Sequence, residues 1–106
     1  MPEKRTVLFV SDGTGITVQM LGHSLLTQFE GLEFNEVTVP FIDSLDKAEA
    51  ECMPRIREAL AAGNGAPIVF STLVNRAARY VIRNSGALVF DVFETFIDPL
   101  EAWLGT

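Results

Sequence analysis

Short apolar runs alternate along the chain with longer stretches in which apolar residues recur every third or fourth position. Thr6–Val10 is a continuous apolar run stopped by Ser11-Asp12-Gly13-Thr14-Gly15, and it reads as a buried strand running into a turn. From Ile16 to Phe29, Val18, Leu21, Leu25 and Phe29 mark one helical face. Gly22 lies inside that helix and costs it about 1 kcal/mol relative to Ala. Close approach to a neighbouring strand is a good reason for a glycine there.

Asn35–Ile42 predicts a second strand, with Val37, Val39 and Phe41 on one face. Pro40 removes a ladder donor, so this strand lies at an edge or stops pairing near Val39. Asp43 or Ser44 then caps a helix whose stripe is Leu45, Ala48, Cys52, Ile56 and Leu60, with a kink expected at Pro54. Gly63-Asn64-Gly65 ends it, and Pro67–Phe70 reads as a third strand running into Ser71-Thr72. Val74, Ala77, Ala78, Val81 and Ile82 match a third helical face, stopped at Asn84-Ser85-Gly86. Leu88–Phe93 is a fourth strand broken only by Asp91, and Asp98-Pro99-Leu100-Glu101 carries the signals of a last helix start.

Strands alternating with helices predict an α/β fold: a three-layer open parallel sheet of about four strands with helices on both faces, of the Rossmann/flavodoxin-like type. Ligands of such sheets bind outside the carboxyl ends of the strands, where strand order reverses. The loops to watch are therefore Ser11–Gly15, Ile42–Ser44, Ser71–Leu73 and Phe93–Phe96.

Composition narrows the function classes. A chain of 106 residues suffices for a single domain. Its 48% hydrophobic content excludes a disordered tail, and one Cys excludes a disulfide scaffold. Fourteen acidic against eight basic residues, a net charge of −6, argue against nucleic acid as the partner. No apolar run reaches the ~20 residues that span a bilayer, and Met1–Val10 lacks the pattern of a signal peptide. No membrane association and a reducing cytoplasm are the expectation. Cys52, on an apolar stripe, reads as a small core residue.

Ser11-Asp12-Gly13-Thr14-Gly15 is the most informative segment. Two glycines let successive N–H groups converge, and the following helix start adds about half a positive charge. Both favour an anion such as phosphate, with hydroxyls from Ser11, Thr14 and Thr17. Asp12 opposes this unless its carboxylate points away, caps the helix or meets a metal. The loop is neither G-x-x-x-x-G-K-[ST] nor G-x-G-x-x-G. A tight turn closed by a threonine cap explains it equally well.

Arg76, Arg79 and Arg83 share one side of the third helix and form a basic stripe in an acidic chain. It either meets an acidic or phosphorylated partner or is an ordinary solvated face. Asp91 and Ser71-Thr72 are candidates for a polar rim at the ligand end. His23 reads as a helix-surface residue, and Glu30, Glu33, Glu49 and Glu51 as solubilising charge. No metal cluster, nucleophile triad or carboxylate pair can be assigned from spacing.

Arg5–Thr17, followed by Leu21-Gly22-His23-Ser24-Leu25-Leu26 and Gln28-Phe29, resembles the opening of the phosphoenolpyruvate synthase / pyruvate, phosphate dikinase regulatory proteins. Val39-Pro40-Phe41-Ile42-Asp43 and Asp98-Pro99-Leu100-Glu101 fit as well. The resemblance implies a bifunctional serine/threonine kinase and pyrophosphorylase. Such a protein uses ADP to phosphorylate a threonine of the synthase or dikinase, and removes that phosphate with inorganic phosphate, releasing pyrophosphate. It also implies that residues 1–106 are the N-terminal domain of a longer chain whose nucleotide-binding P-loop domain lies beyond them. ADP and phosphate are then substrates of the whole protein, no cofactor belongs to this domain, and no catalytic residue can be carried over. By itself the domain should be inactive and serve the active-site cleft, partner binding or dimerisation, so the partners are the target enzyme, the P-loop domain and a second copy. A flavodoxin-like domain that cradles a flavin phosphate, with Trp103 or Tyr80 stacking on the ring, is the third reading.

Overall fold

The computed structural model describes residues 4–106. Four parallel strands, β1 (Arg5–Ser11), β2 (Phe34–Val39), β3 (Ile68–Thr72) and β4 (Leu88–Asp91), lie in the order β2-β1-β3-β4. Between them run α1 (Ile16–Leu26), a three-part helix made of α2 (Leu45–Lys47), a π-helical turn (Ala48–Cys52) and α3 (Met53–Ala62), then α4 (Arg76–Arg83). A second π-helical turn (Phe93–Ile97) leads into α5 (Asp98–Leu104).

The continuous apolar run of β1 has a physical cause: the strand is covered on both faces. Val7, Leu8, Phe9 and Val10 are all fully buried, each worth about 2 kcal/mol of transferred apolar surface. Leu8 and Val10 meet Val69 of β3 and the inward residues Ala48, Cys52, Ile56, Ala78 and Ile82 of the helices on one face. Val7 and Phe9 meet Val18 and Leu26 of α1 and Phe70 of β3 on the other. The result is the three-layer open sheet expected from the element order. Register runs Val10↔Val39 on one side of β1 and Ser11↔Thr72 on the other, so the strands end level at one edge.

Gly22 allows α1 to lie against the sheet, as anticipated. A Cβ there would fall 2.3 Å from Phe9 Cε1 and 3.0 Å from Phe70 Cδ2. The face around it differs from the expected stripe, because the buried residues are Val18, Gly22 and Leu26, four apart. Leu21 is half-buried, while Leu25 and Phe29 are exposed beside the open part of the sheet. Tight contact at Gly22 rotates the helix so that the glycine, and not the leucine row, faces Phe9.

Other boundaries shift for identifiable reasons. β2 lies at the sheet edge and stops at Val39, so both alternatives that Pro40 left open hold, and Phe41 is exposed. The kink expected at Pro54 takes the form of the π-helical turn before it, where Met53 N–H reaches back to Ala48 O. Proline offers no N–H to continue the α-helical ladder, and the wider turn absorbs the gap. Leu45 and Leu60, the ends of that predicted stripe, are exposed. Val74 precedes α4, and Ala77 lies on its exposed side. β4 ends at Asp91, not Phe93, and helical structure starts at Val92, before the Asp98 signal. Asp91 Oδ1 accepts the Glu94 N–H at 3.0 Å, so the strand's last residue caps the helix that follows.

Among the described residues no helix is long and apolar enough to cross a membrane. Cys52 is fully buried, and burial together with Glu51 pushes its thiol up from 9.0 to about 12, against a smaller opposing effect of Arg55.

Two measurements follow from this packing. Gly22→Ala should lower unfolding free energy by about 1–3 kcal/mol in urea denaturation, whereas a gain in stability would show that α1 is not seated on Phe9. The Cys52 thiol stays protonated in the native state, so a thiol reagent near neutral pH should modify it only at the rate of unfolding. Because the folded pKa is the raised one, this group's contribution is complete below pH ~9 and is lost as pH rises from ~9 to ~12, where the unfolded chain ionises first.

Candidate functional site at the carboxyl edge of the sheet

β1 and β3 are neighbours, yet their outgoing helices go to opposite faces, α1 to one and α4 to the other. Their following loops therefore part at this edge, the position at which ligands of open α/β sheets bind. Ser11–Gly15, the 40–44 loop and Thr72–Asn75 meet there.

The first loop is held by its own backbone. Ser11 is buried, and its Oγ accepts the Gly13 N–H at 3.1 Å. Gly15 sits at φ 85°, ψ 3°, immediately before α1, and a Cβ there would fall 2.6 Å from Thr38 Cγ2. Both the left-handed backbone and the space demand glycine. No side chain caps α1, so neither a threonine cap nor Asp12 closes the helix start. The first-turn N–H groups of Ile16, Thr17 and Val18 have no acceptor within the helix and face the edge where Thr14 and Thr17 are exposed.

A feature missed in the sequence fastens this loop to the next. Phe41 N–H donates to Gly13 O and Ile42 N–H to Ser11 O, both at 2.9 Å. Phe41 lies at φ 61° with its ring 57% exposed, a backbone region in which a bulky residue is a genuine outlier. Pro40 marked the end of the strand, but nothing local signalled the left-handed turn. Ser44 Oγ accepts the Lys47 N–H at 3.2 Å, which settles the choice between Asp43 and Ser44 as cap. Asp43 pairs instead with Lys47 at 3.0 Å.

At the third loop, Ser71 is buried and its Oγ accepts the Leu73 N–H at 3.4 Å. Asn75 caps α4 by accepting the Ala78 N–H at 2.9 Å. Asp91, 8% exposed, belongs to a different arrangement from the polar rim envisaged for it. Its Oδ2 takes Arg79 Nε at 2.9 Å and Arg79 Nη2 at 2.8 Å. Arg83 pairs with Glu94. The arginine row is therefore largely committed to tying α4 to the helix after β4, and of the three only Arg76 forms no ion pair among the described residues.

His23 Nδ1 lies 2.8 Å from Glu36 Oε1 on the surface, a contact between α1 and β2 away from the edge. Lys4 reaches Glu33 at 3.7 Å, also in solvent. No group of three or more His, Cys, Asp or Glu among the described residues is arranged to hold a metal ion.

The family model described as kinase/pyrophosphorylase matches residues 7–106, which includes every loop of this edge. The chain belongs to the kinase/pyrophosphorylase family. It is 56% identical over 101 residues to a phosphoenolpyruvate synthase regulatory protein of Aromatoleum aromaticum, covering 95% of the chain and 36% of that relative. The corresponding protein of Hahella chejuensis is 48% identical over 103 residues, covering 97% and 38%. That of Janthinobacterium sp. is 50% identical over 101 residues, covering 95% and 35%. The chain thus spans little more than a third of the length of these relatives. No solved structure matches it.

Because Asp91 is the buried member of its ion pair and the cap of the following helix, Asp91→Ala should cost about 2–4 kcal/mol of stability. Arg83→Ala, removing an exposed pair, should cost less than about 1 kcal/mol. Equal losses in parallel melts would show that Asp91 carries no special load.

Proposed function

We propose that this chain is a domain of a regulator of phosphoenolpyruvate synthase or pyruvate, phosphate dikinase, a bifunctional ADP-dependent serine/threonine kinase and phosphate-dependent pyrophosphorylase. The kinase/pyrophosphorylase match across residues 7–106 carries this reading, and relatives named as phosphoenolpyruvate synthase regulatory proteins support it. In the forward reaction a threonine hydroxyl of the target takes the terminal phosphoryl group of ADP and AMP leaves. In the reverse, inorganic phosphate takes the group from phosphothreonine and leaves as pyrophosphate.

Within that protein the carboxyl edge supplies a phosphate-contacting wall. The first-turn amides of α1 and the hydroxyls of Thr14 and Thr17 offer donors to a phosphoryl oxygen, and the glycines let the backbone approach closely. Ser11 acts through the loop, by holding Gly13 in place. Asp12 is exposed and free of capping duty, so its carboxylate can turn to solvent and leave the amides to the anion. We assign the nucleotide site proper to a P-loop domain outside these residues, a reading supported by the chain's covering little more than a third of its relatives' length. On that assignment the isolated domain is a binding element and not a catalyst, and we place its action in the cytoplasm.

A second reading, target docking through the basic side of α4, now rests on Arg76, since Arg79 and Arg83 are neutralised by Asp91 and Glu94. A charge reversal at Arg76 alone tests it without disturbing the buried pair.

Phosphotransfer to the synthase by a full-length family protein carrying Thr14→Ala should fall at least ~10-fold in kcat/KM, about 1.4 kcal/mol of transition-state stabilisation. Calorimetric titration of residues 1–106 with phosphate, pyrophosphate and ADP should show weak, salt-sensitive anion binding that Thr14→Ala reduces. Unchanged turnover in the variant together with no heat in the titration would rule out the phosphate-contacting role.

A further inference from the structure

The left-handed backbone at Phe41 gives no local reason for an aromatic ring. Six other described residues adopt a positive φ, and all six are glycine. Glycine enters this region without the steric cost that a Cβ imposes, whereas a bulky side chain there is an outlier. The turn itself is accounted for by the backbone. It brings the Phe41 N–H to Gly13 O and the Ile42 N–H to Ser11 O, each at 2.9 Å, and returns Ile42 to the core. Neither bond needs the ring, and burial does not offset its cost, because Phe41 is 57% exposed. Costly backbone conformations concentrate at binding and catalytic sites, so an observed outlier of this kind points to function.

The surroundings of Phe41 fit such a role. Its backbone is fastened to Gly13, within the segment whose exposed threonines and free amides form the phosphate-contacting wall. Ile16, the first residue of α1, is 64% exposed, and Val74 in the third loop of the same edge is 65% exposed. Polar donors are thus accompanied by an exposed apolar side chain from each of the three loop segments. Charge then narrows what the edge can take. Positions 11–15, 40–44 and 72–75 hold Asp12 and Asp43 but no Lys or Arg. They offer nothing to pair with an acidic segment, whereas an apolar side chain of an extended peptide can cover the ring.

We propose that Phe41 is a specificity residue for the protein substrate, packing against an apolar side chain next to the threonine that is phosphorylated, while that threonine lies against the phosphate-contacting wall. The inference rests on the reading of this edge as that wall in a kinase/pyrophosphorylase, and it adds the chemistry that the wall's neighbour selects. A ring whose backbone is held by two hydrogen bonds has little freedom left to lose on binding, which is the advantage of fixing it in a costly turn.

In a full-length family protein, Phe41→Gly should raise KM for the synthase about 10-fold and leave KM for ADP unchanged. The midpoint of urea unfolding should stay the same or rise, because glycine relaxes the turn. Phe41→Leu, which restores apolar bulk, should bring KM back towards the wild-type value. Changing the apolar residue beside the threonine of the synthase to Ser should raise KM with unaltered Phe41 and add nothing in Phe41→Gly. An unchanged KM for the synthase in Phe41→Gly would overturn the proposal, as would a raised KM for ADP, a lowered unfolding midpoint or additive effects of the two substitutions. Thr14→Ala, assayed in parallel, separates the ring from the wall. Loss of turnover in Thr14→Ala with Phe41→Gly unaffected removes the role of the ring alone, whereas full activity in both removes the wall as well.

Discussion

Everything in this domain is arranged around the burial of β1 on both faces. A strand whose consecutive residues Val7, Leu8, Phe9 and Val10 are all removed from water needs a strand on each side and a helical layer above and below. Parallel crossovers supply the layers. Phe9 is the most demanding member, because its ring occupies the space in which a side chain at position 22 would sit. The glycine there brings α1 close, and the rotation that results decides which residues of α1 enter the core and which remain outside.

That rotation has effects at both ends of the helix. At the start, α1 follows directly on Gly15, whose left-handed backbone turns the chain out of the sheet, and the helix begins without a side-chain cap. Backbone bonds from Phe41 and Ile42 to Gly13 and Ser11 then make the first two loops of the carboxyl edge one unit. A phosphate-contacting role benefits from such rigidity, since donors that need no reorganisation lose least on binding. At the far end, Leu25 and Phe29 project over bare sheet and line an apolar groove.

The basic row on α4 illustrates how tertiary contacts reassign residues. Spacing alone places Arg76, Arg79 and Arg83 side by side, as a surface suited to an acidic partner. Asp91 ends the adjacent strand β4, and its nearly buried carboxylate draws in Arg79 while also capping the helix that follows. A residue twelve positions away thus converts part of a candidate docking surface into a brace.

The order of strands and helices, the burial of β1, the limit that Pro40 sets on β2, the closeness of Gly22 to a strand and the motif string of the family are all legible along the chain. These are local or periodic properties: apolar spacing, a proline without a donor, glycine before a helix. The face of α1, the π-helical turns, the early end of β4, the left-handed turn at Phe41 and the pairing of Arg79 with Asp91 emerge only once the chain is folded. Each depends on a neighbour distant along the chain, Phe9 for Gly22, Gly13 for Phe41 and Asp91 for Arg79, and no pattern within a single element carries that information.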